Sequence, residues 1–231
     1  MIDPAHSNPF ETHVQRYEDW FERHPGNFVS ELLTLRALLP WEGEGLEVGV
    51  GSGRFAAPLG VRTGLDPSSA MLALASTRGI KTVQGVAENL PFPNTSFDYG
   101  LIVTTLCFVQ SPERMLSEIK RVLRLGGRLV IGFIDRASPL GQHYQAHQAG
   151  SLFYRNAVFY SADEVNRLLT RTGFHVDTWV QTLTRPPGET TAVAPNAIWA
   201  NNIDGIEPMH SGHGSGGFVV VGATKMTDSQ T

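Results

Sequence analysis

The sequence has little cysteine, no surplus of basic residues and no long apolar run, and each shortage narrows what the chain can be. Its single cysteine, Cys107, excludes a disulfide framework and a thiolate metal cluster and suits a reducing compartment. Lys and Arg number 18 against 22 Asp and Glu, a formal charge of −4. Counterion release from a nucleic-acid backbone needs the opposite balance, so no nucleic-acid partner is expected. No apolar stretch approaches the roughly 18 residues of a membrane span. The opening Met1-Ile2-Asp3-Pro4-Ala5-His6 has neither the basic region nor the apolar centre of a signal peptide. What remains is an ordinary composition, 41 % hydrophobic over 231 residues, enough for one sizeable α/β domain and short for two. A cytoplasmic, single-domain protein is expected.

Glycine, by contrast, is concentrated where it matters. The run Leu46-Glu47-Val48-Gly49-Val50-Gly51-Ser52-Gly53-Arg54 reads as a buried strand, a glycine turn and a helix start. Glycines at alternate positions permit a tight turn and let a ligand lie directly on the backbone. The dinucleotide fingerprint G-x-G-x-x-G differs from this spacing, because the third glycine comes one residue early and Arg54 stands where that motif has Gly. A carboxylate at Glu47, just before the turn, repels a diphosphate and suits a cationic ligand.

The chain before this turn, residues 1–44, reads as helical. Phe10 to His24 carries Val14, Tyr17, Trp20 and Phe21 at helix spacing until His24-Pro25-Gly26 breaks it, and a second helix runs from an N-cap at Ser30 to Pro40. The aromatic stripe reads either as core packing or as a lid over a ligand. From Gly45, strands and helices alternate. Strands are expected at Leu46–Val50, Thr63–Asp66, Lys81–Gln84, Tyr99–Thr105, Arg128–Ile134, His175–Thr182 and Phe218–Thr224. Helices are expected at Ser69–Thr77, after the N-cap Ser111-Pro112 up to Gly126-Gly127, and after a capping box at Ser161–Glu164 up to Gly173. The first crossover, Arg54 to Gly60, has room for barely two helical turns. The tail from Met226 is polar and reads as frayed. The pattern predicts a doubly wound, mostly parallel sheet of seven strands, whose ligands bind outside the carboxyl ends of the strands where the strand order reverses.

Strand ends are therefore the places to look for chemistry. Asp66 closes the second strand ahead of Pro67 and Ser68; a carboxylate there can accept both hydroxyls of a ribose, or else cap the helix that follows. After the third strand comes Gln84-Gly85-Val86-Ala87-Glu88-Asn89-Leu90-Pro91-Phe92, then Ser96-Phe97-Asp98. A small residue followed by polar groups can present backbone amides to an adenine edge.

Taken in order, E-x-G-x-G-x-G, G-x-D-x-S, G-x-A-E-x-L-P-F followed by S-F-D, and L-R-x-G-G-x-L resemble the class I S-adenosylmethionine-dependent methyltransferases. The nearest likeness is to the small-molecule branch typified by the ubiquinone and menaquinone biosynthesis enzymes. It covers residues 45–135 closely and Phe159–Val176 loosely. The resemblance implies a Rossmann-like sheet with an antiparallel last strand, and S-adenosylmethionine as cofactor with S-adenosylhomocysteine as product. It implies that Glu47 lies near the methionine amine, with Gly49, Gly51 and Gly53 beneath the ligand. Asp66 would hold the ribose, Pro67 and Met71 flank the adenine, Ala87 offer its amide to the ring, and Thr104 lie near the amino-acid end. Where the family often has Asp after the glycine, this chain has Val86, so either Glu88 takes the adenine amine or the amine goes to water. The domain then divides into a lid (residues 1–44), a cofactor-binding half (45–135), and an insertion with the substrate-side half (136–231).

On the acceptor side, Tyr17, Trp20 and Phe21 are candidates to close over the sulfonium, whose charge favours aromatic faces, and Tyr144 of the insertion is a further candidate to cover the substrate. His143, His210 and His213 are candidates for a general base, if the acceptor must lose a proton. His143-x-x-x-His147 and His210-x-x-His213 lack the partners of a metal motif, so no metal is expected. No [Asn/Asp]-Pro-Pro-aromatic motif follows the fourth strand, which disfavours base- and glutamine-methylating enzymes. A small molecule offering an O, N or C nucleophile is the expected acceptor. Two other readings stay open: a nicotinamide-dependent oxidoreductase, and a non-catalytic adenosyl-cofactor-binding protein. The oligomeric state is not legible.

Overall fold

The structure, a computed structural model, describes residues 8–184 and 205–226. Residues 1–7, residues 185–204 of the segment joining the last two expected strands, and the tail beyond Met226 lie outside the described residues.

The chain opens with three helices, α1 (Pro9–Thr12), α2 (Val14–Arg23) and α3 (Pro25–Leu38). The single helix expected over Phe10 to His24 is broken at His13, which serves as C-cap of α1 and N-cap of α2. Pro25 does more than end a helix: it occupies the first position of α3, where its missing N–H costs nothing. Ser30 is therefore an interior residue and not an N-cap. Its hydroxyl donates to the Gly26 carbonyl (2.7 Å) and accepts the N–H of Glu207 (2.8 Å).

Then follow β1 (Gly45–Val48), α4 (Ala56–Leu59), β2 (Thr63–Asp66), α5 (Ser69–Thr77), β3 (Lys81–Gln84), β4 (Phe97–Val103), α6 (Pro112–Val122) and β5 (Leu123–Ile134). The last elements are α7 (Pro139–Ala146), α8 (Ala162–Arg171), β6 (Phe174–Thr182), β7 (His210–Ser211) and β8 (Phe218–Lys225). The capping box at Ser161 forms as expected, its hydroxyl accepting the N–H of Glu164 and the Glu164 carboxylate accepting the N–H of Ser161. The helix before β5 ends at Val122, not at Gly126-Gly127. Leu123 already pairs with Phe97, and the register shifts between Phe97 and Tyr99, so the glycines lie within an irregular strand.

The sheet has eight strands, in the order β3-β2-β1-β4-β5-β8-β6-β7, where seven were expected. The extra one is the two-residue edge strand β7, whose His210 pairs with Gln181. Strands β1 to β5 are mutually parallel along the sheet, and β8 runs antiparallel between β5 and β6. Strand order reverses between β1 and β4, the crevice where such sheets bind ligands. Alternation along the central strands splits the core. Ile102, Leu129, Ile131 and Val219 meet α6 and α8 on one face, while Leu101, Val103, Val130 and Val220 meet α3, α4 and α5 on the other.

Candidate active site

The turn after β1 is built by backbone geometry. Gly49, Gly51 and Gly53 all have left-handed φ, at 76°, 52° and 81°. A side chain at Gly49 would collide with the methyl and hydroxyl of Thr105, and one at Gly53 would press on Ala75 of α5 at 3.3 Å. Only Gly51 faces open space, with the Tyr17 hydroxyl 3.6 Å from where its Cβ would be. The three glycines therefore divide the work. Gly49 admits the β4 end, Gly53 admits α5, and Gly51 bares the backbone to a ligand.

Carboxylates surround this turn. Asp66 accepts the N–H of Gly51 (2.9 Å) and of Ser68 (2.9 Å), which fixes its side chain at the end of β2. Burial raises its pKa against those two hydrogen bonds. Glu47 is buried under the turn, and its Oε2 has no hydrogen-bond partner. Burial, and then the nearby Asp66 charge, push the Glu47 carboxyl well above the usual carboxylate range. The Tyr17 phenol is raised by its own burial and by the charges of Glu47 and Asp66.

These residues border a cavity of about 1250 Å³ at the carboxyl ends of β1, β2 and β4. Its floor includes Gly49, Gly51, Asp66, Pro67, Met71, Ala87, Glu88 and Thr104. Glu47 and Gly53 stand behind this wall and do not line it. Glu88 is partly engaged, its Oε1 accepting the N–H of Gln110 (2.8 Å). Thr104 holds a φ of 49°, a left-handed conformation uncommon for a non-glycine residue, while its N–H bonds the Gly132 carbonyl.

The roof comes from α1, α2 and residues 150–156. Phe10 packs on Tyr17, Phe108 and Phe153 with ring centroids 5.8, 5.1 and 5.1 Å apart. Two acidic residues pin these helices over the site. Glu11 of α1 accepts the hydroxyls of Ser68 (2.6 Å) and Ser69 (2.7 Å) at the start of α5. Glu18 of α2 accepts from Ser52 inside the glycine turn, from Arg54 (2.9 Å) and from Arg78. Arg54, the residue that departs from a dinucleotide fingerprint, is thus a strut between turn and roof. No sequence motif signalled Glu11, Glu18 or Thr105, because their roles arise only from long-range packing.

Tyr17, Trp20, Phe21 and Tyr144 all line the cavity. The three histidines expected as base candidates do not. His143 is exposed and lies against His147 at 4.3 Å, while His210 and His213 are exposed at the far edge of the sheet, His213 against Trp179 at 5.0 Å. Pairing of His210 with Gln181 as β7 holds the segment carrying His210 and His213 at the sheet edge. Among the described residues, no three His, Cys, Asp or Glu side chains converge as metal ligands, and no helix is long and apolar enough to cross a membrane.

Residues 46–131 match the methyltransferase domain family. A solved structure from Thermotoga maritima, described as an S-adenosylmethionine-dependent methyltransferase and possible histamine N-methyltransferase, superposes with a TM-score of 0.85. It is 43% identical over 94% of this chain and 98% of its own. The chain belongs to the class I S-adenosylmethionine-dependent methyltransferases. An uncharacterized protein of Methanocaldococcus jannaschii is 38% identical over 95% of the chain and all of its own length. An O-methyltransferase of Penicillium expansum is 30% identical over 71% of the chain and 65% of its own length. This methyltransferase is an enzyme, and its cofactor is S-adenosylmethionine. The site fits that cofactor on its own evidence. The orphaned Glu47 oxygen and the stacked carboxylates suit a ligand carrying two positive charges and no phosphate, and a side chain at Gly51 would fill the cradle.

Proposed function

We propose that this methyltransferase methylates a small organic molecule held in the aromatic half of the cavity. The observation that carries the reading is the cavity itself. At about 1250 Å³ it exceeds the roughly 300–1,000 Å³ of a single small-molecule site, and it runs unbroken from Asp66 to Tyr144 and Tyr154. One end has the donors and acids for a nucleoside and an amino acid; the other has rings.

When bound, S-adenosylmethionine supplies a methyl group already activated by a sulfonium. The chain's residues supply the rest. Asp66, with four lone-pair sites of which two are used by Gly51 and Ser68, keeps capacity for ribose hydroxyls. Glu47 lies beneath the amino-acid end with one carboxyl oxygen unpaired, and Ala87 and Met71 line the adenine side. Tyr17 stands between the two halves, and with Phe10 and Phe153 it excludes water from the transfer. Nitrogen is the nucleophile favoured by the Thermotoga relative's description, and oxygen by the Penicillium relative's. The reading is completed by a single catalytic domain working in the cytoplasm, which the lone, half-buried Cys107 suits; desolvation pushes its thiol up to about 12, away from the reactive thiolate.

Thermal melts with S-adenosylmethionine, S-adenosylhomocysteine and NAD test the cofactor half. At 100 times its dissociation constant a ligand stabilises by about 2.7 kcal/mol. The two adenosyl ligands should raise Tm by several degrees and NAD should not, and Asp66→Ala should abolish the shift. S-adenosylhomocysteine formation with a pool of small amines, phenols and thiols tests turnover. Cofactor binding with no turnover on any of them would leave a binding protein in place of a catalyst.

A further inference from the structure

Six acidic side chains are buried among the described residues: Glu18, Glu31, Glu47, Asp66, Asp135 and Glu207. Five accept hydrogen bonds that explain their burial. Glu18 bonds Ser52, Glu47 the Ala56 N–H, Asp66 that of Gly51, Asp135 that of Ala137 and Glu207 that of Thr184. Glu31 is the exception. It is 4% exposed on α3, it lines the cavity, and no described residue donates a hydrogen bond or forms an ion pair to it. The groups that face it are phenols: Tyr17 of α2, Tyr144 of α7 and Tyr154 of the roof segment. The rings of Tyr144 and Tyr154 stand 5.2 Å apart, edge to face.

A buried carboxylate in an aromatic chamber is costly unless something pairs with it. Among the described residues no such partner is present. Resting on the methyltransferase reading above, the geometry points to Glu31 as the acceptor-recognition group and to a cationic organic amine as the acceptor class. An ammonium would meet the carboxylate and the faces of the surrounding rings at once, the combination that cation recognition uses. A neutral alcohol brings no charge to draw the Glu31 carboxyl into its ionised form, and a ligand carboxylate would be repelled by that form. The arginines of the cavity wall, Arg16, Arg23, Arg114 and Arg155, are all exposed and stand at its mouth.

The same contact makes Glu31 the proton acceptor. The carboxylate takes one proton from the bound ammonium and frees the nitrogen lone pair. The N–C bond then forms as the S–C bond breaks, its electron pair staying on sulfur. The products are the methylated ammonium, the thioether and a proton that Glu31 returns to solvent. Burial pushes the Glu31 carboxyl up to about 8 in the free protein, close to the pH at which a general base operates best.

The test is calorimetric titration of tyramine and tryptamine, with tyrosol as the neutral analogue, into protein saturated with S-adenosylhomocysteine. It is run at pH 7 in phosphate and in Tris, so that proton exchange is counted. In the wild type the amines should bind at least tenfold more tightly than tyrosol. Each binding event should release about 0.9 protons, because a carboxyl with a pKa near 8 is mostly protonated at pH 7 and ionises against the ammonium. Glu31→Gln should weaken amine binding at least tenfold and abolish proton release, with S-adenosylhomocysteine binding unchanged as proof of folding. Should that variant fail to fold, the wild-type comparison of tyramine with tyrosol and the proton count still decide. Equal affinity for tyramine and tyrosol, amine binding without proton release, or no amine binding to the loaded protein would each overturn the assignment. Failure of S-adenosylhomocysteine itself to bind would instead overturn the cofactor reading.

Discussion

At the scale of single residues, one acid behaves in a way a local motif cannot report. Glu31 has a folded-state pKa of about 8 against an ordinary 4.5. Between those values the folded chain holds a proton that the unfolded chain has lost, so stability falls as pH rises through the window and levels off above it. The slope is about 1.4 kcal/mol per pH unit for this one group. Glu31→Gln removes it, so the variant should gain Tm relative to the wild type from pH 5 to pH 8 and no further beyond. Gly51→Ala tests the cradle. Its φ of 52° costs a side chain roughly 1 kcal/mol, and the added methyl would project toward the Tyr17 hydroxyl. Cofactor affinity should drop at least tenfold by calorimetry, with only a small loss of Tm. The contrast explains what was legible. Glu47, the glycines and Asp66 sit in short motifs at two neighbouring strand ends, and it is the family resemblance of those motifs that singles them out. Glu31 has no such frame: one acid on a helix reads as a solvated side chain until α2, α7 and the roof segment are packed around it.

At the scale of elements, the roof helices are held by charge-assisted hydrogen bonds in addition to the aromatic packing of Phe10, Tyr17 and Phe21. Glu18 ties α2 to Ser52, Arg54 and Arg78, and such bonds contribute roughly 1.5–3 kcal/mol each when buried. Glu18→Gln should loosen α2, speeding limited proteolysis within residues 8–23 and raising the dissociation rate of S-adenosylhomocysteine about tenfold, while the core melts near its wild-type temperature. Caps were read from sequence where they are self-contained. Ser161 and Glu164 form their box within one turn, and Ser161→Ala should cost about 1 kcal/mol in chemical denaturation. Ser30 misled because its real partners, the Gly26 carbonyl and the Glu207 N–H, are set by a proline at Pro25 and by a residue far along the chain. The start of β5 was hidden because Leu123 continues the apolar face of α6, and pairing with Phe97 decides its state. A strand as short as β7 has no periodicity to detect.

At the scale of the whole molecule, β8 is bonded on both sides, from Arg128↔Thr224 to Ile134↔Phe218 with β5 and from Phe174↔Lys225 to Thr182↔Phe218 with β6. A chain ending at Gly217 would lose both ladders and the buried Phe218, Val219, Val220 and Val221. It should show no cooperative melt and should aggregate through the bared edge of β5. The position of β8 has a further consequence during synthesis. A ribosome releases the roof, the glycine turn and the parallel strands first, while the strip that belongs between β5 and β6 arrives after both of them. The nascent protein therefore cannot assemble from one end to the other; it must hold a gap open and insert β8 into the interior of the sheet. A message broken shortly before that strand yields a product with every cavity-floor residue from Gly49 to Thr104 present and no finished sheet to hold them, which quality-control proteases can recognise by its sticky open edge.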